Sequence, residues 1–351
     1  MSNTLYRRGL NTVRFRFTVW RNGVPLEGGE LSPYGTGTLT HEVGAELQDS
    51  IQQTFLAYEG VDFVTDTLRV ECEINGETKP LGRYCITTEK PSKYGGVPVI
   101  EVEGYSILWI LKQCKTETVR TWEAGTPYTT VINGLLSEAG FTSYNIEATD
   151  AVLATDRADW DIGTEFLTII NDLLAEINYN PLFADFEGTI RGTRYVAPSI
   201  QNVTHTYTEG KDSVITADYN TEADRFDVAN VFIVICDNPE METIMRAESV
   251  NADPRSPYST VSLGRRVPYI ERVDNTPSMT ELQATADRLR AESLQTEERI
   301  EVTTAIMPDH GANETLLVQV GDIAGVYRET GFEISLSETG QMKHKAARVI
   351  T

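Results

Sequence analysis

The chain has 351 residues, 40% hydrophobic and 23% charged, with 52 acids against 30 bases and a formal net charge of −22 at pH 7. That length suits two or three domains whose cores need no staples. The charge argues against direct nucleic-acid binding, which needs basic grooves, and no apolar run approaches the ~20 residues of a membrane helix.

The first twenty residues carry Arg7, Arg8, Arg14 and Arg16 without an acid. No apolar core or cleavage site follows, so a secretory signal is not expected. Val13, Phe15, Phe17 and Val19 alternate with Arg14 and Arg16, which predicts a strand with one wet face. Leu47, Ile51 and Phe55 lie four apart and predict a helix over Ala45 to Tyr58. Leu68 to Ile74 and Leu81 to Thr87 read as strands split by the turn Asn75-Gly76, and Val99 to Val102 as another. The four cysteines, Cys72, Cys85, Cys114 and Cys236, are scattered without a C-x-x-C. Cys72 falls in the apolar phase of its strand and reads as a small buried hydrophobe, which fits assembly in a reducing cytoplasm.

A well-marked helix follows Thr126 as N-cap and Pro127 as first residue, with Val131, Leu135, Leu136 and Ala139 inward and Gly140 after its end. From Ser137 to Glu187 eleven acids face one base, Arg157. They read as a solvated face or as a surface that repels a passing polyanion. Phe166, Ile170, Leu173, Leu174 and Ile177 define a second amphipathic helix, capped by Asp161 or Thr164 and stopped at Asn178, Asn180 and Pro181. Leu182 to Asp185 and Thr189 to Val196 then form a hairpin around Glu187-Gly188.

Beyond Ser199 the pattern returns to β. Val228 to Ile235 reads as a central strand buried on both faces, and Asp237 to Pro277, with five prolines, as a long loop with short strands at most. Ser278-Met279-Thr280-Glu281 is a capping box opening a helix with Leu282, Ala286, Leu289 and Ser293 on one face. Ile300 to Ile306, Leu316 to Val320, Gly331 to Leu336 and Ala346 to Ile350 are strands. The order helix–strand–strand after Glu46-Leu47-Gln48 recurs after Glu281-Leu282-Gln283, with Gly82 and Gly321 opening the last strand of each, and suggests a duplication.

The search for chemistry mostly fails. His41, His205, His310 and His344 fall in no H-E-x-x-H or H-x-x-H spacing. There is no G-x-S-x-G, Walker loop or G-x-G-x-x-G, and no calcium loop. Asp159 and Asp161 around Trp160 are the nearest approach to a sugar site, an aromatic platform beside acids; a solvated linker is the plainer reading. No catalytic residue, cofactor or metal ligand is assigned.

Four stretches carry a resemblance. They are Leu81 to Leu111 (LGRYCITTEKPSKYGGVPVIEVEGYSILWIL), the helix–hairpin unit of form G-x-x-x-L-x-x-I-x-x-L-L-x-x-I-N-Y then D-x-x-G-x-I, ANVFIVICDN at Ala229 to Asn238, and Met279 to Val326. Their order resembles the central hub proteins of phage tails and phage-tail-like particles of Gram-positive hosts, over nearly the whole chain. The resemblance implies a β-rich α+β chain with two tail-tube-like β-barrel domains, residues 1–118 and 199–351, around a small α/β middle domain, residues 119–198, the barrels sharing strands across these boundaries. It implies a homotrimeric structural part of the virion baseplate, no enzyme, adapting a sixfold tail tube to a threefold spike. Its partners would be the tail tube protein, the spike protein and the tape-measure protein, with no membrane and with DNA only as passing cargo through a neutral or acidic bore. Both termini read as strands rather than polar tails, so Leu5 to Thr18, including Arg14, Phe15, Arg16 and Phe17, and the last strand are expected at domain or subunit contacts. The alternatives are a receptor- or carbohydrate-binding tail protein, with Trp122, Trp160 and Tyr258 as exposed aromatics, and a cell-wall hydrolase.

Overall fold

The computed structural model describes residue 6 and residues 11–211, 213–222, 228–239, 243–295 and 298–349. The expectations for Leu5, Arg7, Arg8 and Ile350 lie outside these residues. The first section is a run of strands: β1 (Val13–Arg21), β2 (Val24–Glu30), β3 (Gly37–Glu42), β4 (Asp49–Leu56), β5 (Thr67–Ile74), β6 (Glu77–Tyr94) and β7 (Val97–Ser106). In β1 the alternation holds: Val13, Phe17 and Val19 are buried while Arg14 and Arg16 are exposed. Asn75 and Gly76 both take positive φ, at 53° and 88°, in the two-residue β5–β6 turn, as a type I′ hairpin requires.

The helix expected over Ala45 to Tyr58 is instead strand β4. Ile51 and Phe55 do point inward, but so do Asp49 and Gln53, at 6% and 2% exposure. Two buried polar residues thus masked a period of two as a period of four. Asp49 is held by His41 at 2.7 Å, and the Gln53 amide donates to the Thr54 carbonyl at 2.7 Å.

The middle section contains α1 (Trp109–Gln113), α2 (Tyr128–Glu138), β8 (Tyr144–Ile146), α3 (Phe166–Glu176), β9 (Phe183–Ala184) and β10 (Ile190–Gly192). Its three strands form a small sheet in the order β8-β10-β9. Val131, Ile132, Leu135 and Leu136 of α2 pack with Ile169, Ile170, Leu173 and Leu174 of α3 in a core of their own. Pro127, rather than Thr126, occupies the N-cap position of α2, and Glu165, in place of Asp161 or Thr164, that of α3, each without a side-chain capping bond. The chain before α3 is held by Thr116, whose hydroxyl oxygen accepts from the Gly163 and Thr164 amides. Asn178 leaves α3 with a left-handed φ of 55°, a conformation Asn tolerates at a helix end.

The last section runs β11 (His205–Thr208), β12 (Ile215–Glu222), β13 (Val231–Cys236), β14 (Met245–Val250), α4 (Thr260–Leu263), β15 (Pro268–Val273), α5 (Met279–Gln295), β16 (Arg299–Thr304), β17 (Thr315–Val320), β18 (Ile323–Leu336) and β19 (Met342–Arg348). The region Asp237 to Pro277, expected as mostly loop, supplies β14 and β15, which flank the central β13. Leu282 and Ala286 of α5 pack on this sheet with Val234, Cys236 and Ala247. The Glu281 amide donates to the Ser278 hydroxyl oxygen at 3.2 Å, half of the expected capping box.

All other strands join one thirteen-stranded sheet, ordered β12-β16-β19-β18-β3-β4-β7-β6-β5-β1-β2, with β17 beside β18 and β11 beside β17. This order contains a repeat. The first section reads β3-β4-β7-β6-β5 and the last reads β12-β16-β19-β18-β17, every neighbouring pair antiparallel. A bulge falls at the same place in each, Ile86/Thr88 on β6 and Glu329/Gly331 on β18. The duplication suggested by the sequence is thus present in strand order, with a different correspondence: LRVECEI matches β17 and not RIEVTTAI, and among the described residues no helix precedes β5. The sixth strands depart from the repeat, since β1 joins β5 antiparallel and β11 joins β17 parallel. Among the described residues no strand pairing closes either half into a barrel. The two halves share one core, with Phe17, Phe55 and Leu81 of the first meeting Ile300, Tyr327 and Phe332 of the last.

The seam between the halves is the pairing of β18 with β3, Gly331↔Glu42 to Leu336↔Gly37. A Cβ on Gly331 would lie 2.6 Å from the His41 carbonyl oxygen. Gly331→Ala must therefore move β3 away from β18, and we expect it to cost about 1–3 kcal/mol, the range for overpacking a tight site. Urea unfolding checks this, with an unchanged midpoint as the contrary result.

Candidate functional site: a buried histidine cluster at the seam

Strand β18 changes partner along its length. Ile323 to Arg328 pair with β17, Gly331 to Leu336 pair with β3, and β19 runs beside both parts. Glu329 sits at the change, next to the bulge, with 1% of its surface exposed. A bulge re-aims the side chains around it, and here a carboxylate is aimed into the core.

Two imidazoles clasp that carboxylate. His310 Nδ1 lies 2.7 Å from Glu329 Oε2, and His344 Nδ1 lies 2.5 Å from Oε1. The far nitrogens are also satisfied, His310 Nε2 by the Tyr207 hydroxyl and His344 Nε2 by the Thr304 hydroxyl at 2.9 Å. The Thr304 hydroxyl also lies 2.7 Å from the Ala305 carbonyl. Its single hydrogen can serve either acceptor, so His344 Nε2 can accept from it when neutral and donate to it when protonated. His205 stacks on His310 with ring centroids 3.9 Å apart. His41, on β3, stacks on Phe332 at 4.9 Å and completes the gathering of all four histidines at the seam.

Burial opposes the charge on Glu329, but the two histidines outweigh it and hold its pKa down at about 2. Burial, together with neighbouring His310, pushes His205 down from 6.5 to about 4. Burial also lowers His344. At His41 burial opposes protonation, yet Asp49 outweighs it and raises the pKa. An unfolded histidine binds its proton near pH 6.5 while folded His205 waits until about 4, so stability falls as pH drops through that window. Glu329 extends the loss from its ordinary 4.5 toward 2. His41 acts in the opposite sense: its contribution is present below 6.5 and fades as pH rises through its folded pKa. We expect the net melting temperature to fall steadily from pH 7 to pH 4, and His205→Gln to flatten that limb. A flat profile in the parent chain would contradict the assignment.

Thr304, His344 and Glu329 follow the hydroxyl–imidazole–carboxylate order of a nucleophile triad. Thr304, His344 and His310 have 0% exposure, so in this structure no substrate reaches the hydroxyl. His310, Glu329 and His344 also offer metal-type ligand atoms within 4.8 Å of one another. Bonds of ~2.1 Å would hold such ligand atoms about 3 Å or more apart. The 2.5 and 2.7 Å contacts are those of direct hydrogen bonds, so the cluster works as a clasp across the sheet.

Of the expected contact residues, Arg14 and Arg16 face outward, with Arg16 3.5 Å from Glu30. Phe15 is half-buried, and Phe17 lies inside the chain's own core, edge-on to Phe55 at 5.1 Å. Trp160, weighed as a sugar platform, is 7% exposed and donates to Asp172 at 2.8 Å. Its neighbour Asp159 pairs with Arg157. Cys114 is half-buried and its thiol is pushed up by burial. The sequence did hold one sign of the cluster: His344 shares the inward phase of Met342 and Ala346 while Lys343 and Lys345 point out.

No protein-family model and no curated protein sequence matches the chain. Solved structures do. A tail protein from Neisseria meningitidis MC58 superposes with a TM-score of 0.67 at 12% identity, covering 95% of this chain and 97% of that one. The 43 kDa tail protein of prophage MuSo2 from Shewanella oneidensis gives 0.65 at 12% identity, covering 95% and 98%. The E. coli c3393 protein, a type VI secretion component described as structurally similar to the T4 tail proteins gp27 and gp5, gives 0.53 at 12% identity, covering 91% and 74%. The chain therefore has the fold of phage tail proteins along nearly its whole length. Among the described residues no helix is long and apolar enough to cross a membrane.

Proposed function

We propose that the chain is the structural hub of a phage tail or tail-like particle, three copies forming a ring between a sixfold tail tube and a threefold spike. The observation that carries this reading is the repeated five-strand order within one chain. Two similar units per chain present six similar faces in a ring of three, which a sixfold tube can meet, while the chain count matches a threefold spike. The tail-protein fold supports the same role. Each half would complete a tube-like barrel in the assembled ring. The exposed Arg14 and Arg16 would take part in subunit contacts, and a neutral or acidic bore would let a polyanion pass without counterion-releasing contacts. This reading is non-enzymatic, and two observations among the described residues support it: the triad-like arrangement of Thr304, His344 and Glu329 is buried away from substrate, and Asp159 is paired with Arg157. Native mass measurement of the purified chain tests the stoichiometry, with a trimer expected and a persistent monomer or hexamer against it.

A further inference from the structure

The seam inside the chain points to the seam between chains. In the last section, the bulge on β18 marks where its outer edge passes from β17 to β3. In the first section, β5 covers β6 only as far as Cys85. Beyond the matching bulge, β6 continues to Tyr94, paired among the described residues with β7 alone. Residues 89–98 of this β6–β7 arm are all exposed. The strand equivalent to β3 in the repeat is β12, and among the described residues its outer edge is open as well. One chain thus offers an unpaired edge and, at the opposite end of the repeat, the strand that covers its equivalent.

Resting on the ring reading above, we propose that β12 of one copy pairs antiparallel with the arm of β6 on the next copy, repeating between chains the β18–β3 pairing within a chain. The register follows from the repeat. Gly331 and Thr88 occupy equivalent rows, opposite Lys345 and Glu103, and Asn220 and Thr38 do so opposite Glu301 and Gln52. Carrying the β18–β3 register across sets Lys90 against Glu222, Pro91 against Thr221, Ser92 against Asn220 and Lys93 against Tyr219. The Lys90–Glu222 row brings opposite charges together, a favourable cross-strand pair. Pro91 supplies a carbonyl but no N–H, and with the two lysines it discourages pairing with unselected strands. The occupant is a second copy of this chain, because the contact is head-to-tail and closes as a ring.

Cysteines placed by this register test it. Opposed residues in a ladder have Cα atoms within disulfide reach, roughly 4.4–6.8 Å. Ser92→Cys combined with Asn220→Cys should give covalent dimers and trimers on mild oxidation, while each single variant and the parent chain give none. Replacing residues 89–98 by a two-residue turn should abolish the trimer in native mass spectra and leave the melting transition in place. Lys90→Glu should weaken assembly, and Lys90→Glu with Glu222→Lys should restore it. A trimeric parent whose double-cysteine variant never cross-links and whose shortened arm still trimerises would overturn the pairing and leave the ring reading standing. A monomeric parent would remove both.

Discussion

Glu329→Ala lowers the stability of the folded chain by about 3–5 kcal/mol, the range for opening a buried, hydrogen-bonded charge network. The substitution removes the acceptor that both His310 and His344 address. It leaves two imidazole N–H groups without a partner at positions with 0% exposure, and each orphaned donor costs on the order of 1–3 kcal/mol. It also leaves a void at the bulge where β18 exchanges β17 for β3. Glu329→Gln keeps one acceptor and the side-chain volume, and should cost less. The measurement is the urea midpoint of each variant at pH 7 with an unchanged slope, which isolates stability from denatured-state effects. The loss of stability between pH 4.5 and 2 that the depressed Glu329 pKa supplies should be absent in both variants. A shift below about 1 kcal/mol for the Ala variant would mean that the clasp holds nothing together.

Arg157→Ala has a comparable effect in the middle section. Arg157 is 3% exposed, grips Glu176 through both terminal nitrogens at 2.7 and 2.9 Å, and lies over the Trp160 ring at 4.7 Å. Glu176 also accepts from the Tyr128 hydroxyl at 2.7 Å, so one pair ties α2, α3 and the acidic linker together. Burial pushes the Glu176 pKa up, and Arg157 opposes that push. Without Arg157 the carboxylate must take a proton or stay charged in the core, at a cost of about 3–5 kcal/mol. Arg157→Met with Glu176→Leu removes both charges and should be less damaging than Arg157→Ala alone. Urea unfolding followed by tryptophan fluorescence reads this directly, because Trp160 packs on Arg157 and edge-on to Trp122 at 5.6 Å. Equal losses for the single and double variants would show that packing, and not the charge pair, sets the cost.

The parts legible in the sequence are those whose physics is local. Helix α3 shows because five apolar residues share one face and Asn178 and Pro181 end it. Strand β1 shows because its arginines alternate with apolar residues. The β5–β6 hairpin shows because Asn75-Gly76 permits positive φ at both positions. Strand β4 was hidden because its inward positions include Asp49 and Gln53, whose partners come from a strand across the sheet and from its own backbone. Strands β14 and β15 were hidden by prolines and polar clusters, since β15 lies at the edge of a small sheet where Pro268 loses no ladder bond. Sequence spacing aligns the repeat differently from the structure, because pairing order, which spacing does not encode, defines it. Of the histidine cluster only the inward phase of His344 on its strand is legible. His41, His205, His310 and His344 come from three strands and a loop, and only the change of partner along β18 brings them together. The two barrels expected from the resemblance are not closed by any strand pairing among the described residues; the strands form one sheet instead, with β12 at one end and β2 at the other.

The most direct test of the hub assignment is the symmetry of the ring in the assembled particle, read from a reconstruction without imposed symmetry. The account predicts three copies per ring, each contributing two similar units to a six-unit tube end, with the spike beneath on the same threefold axis. Six copies in the ring, or a single copy, would contradict it.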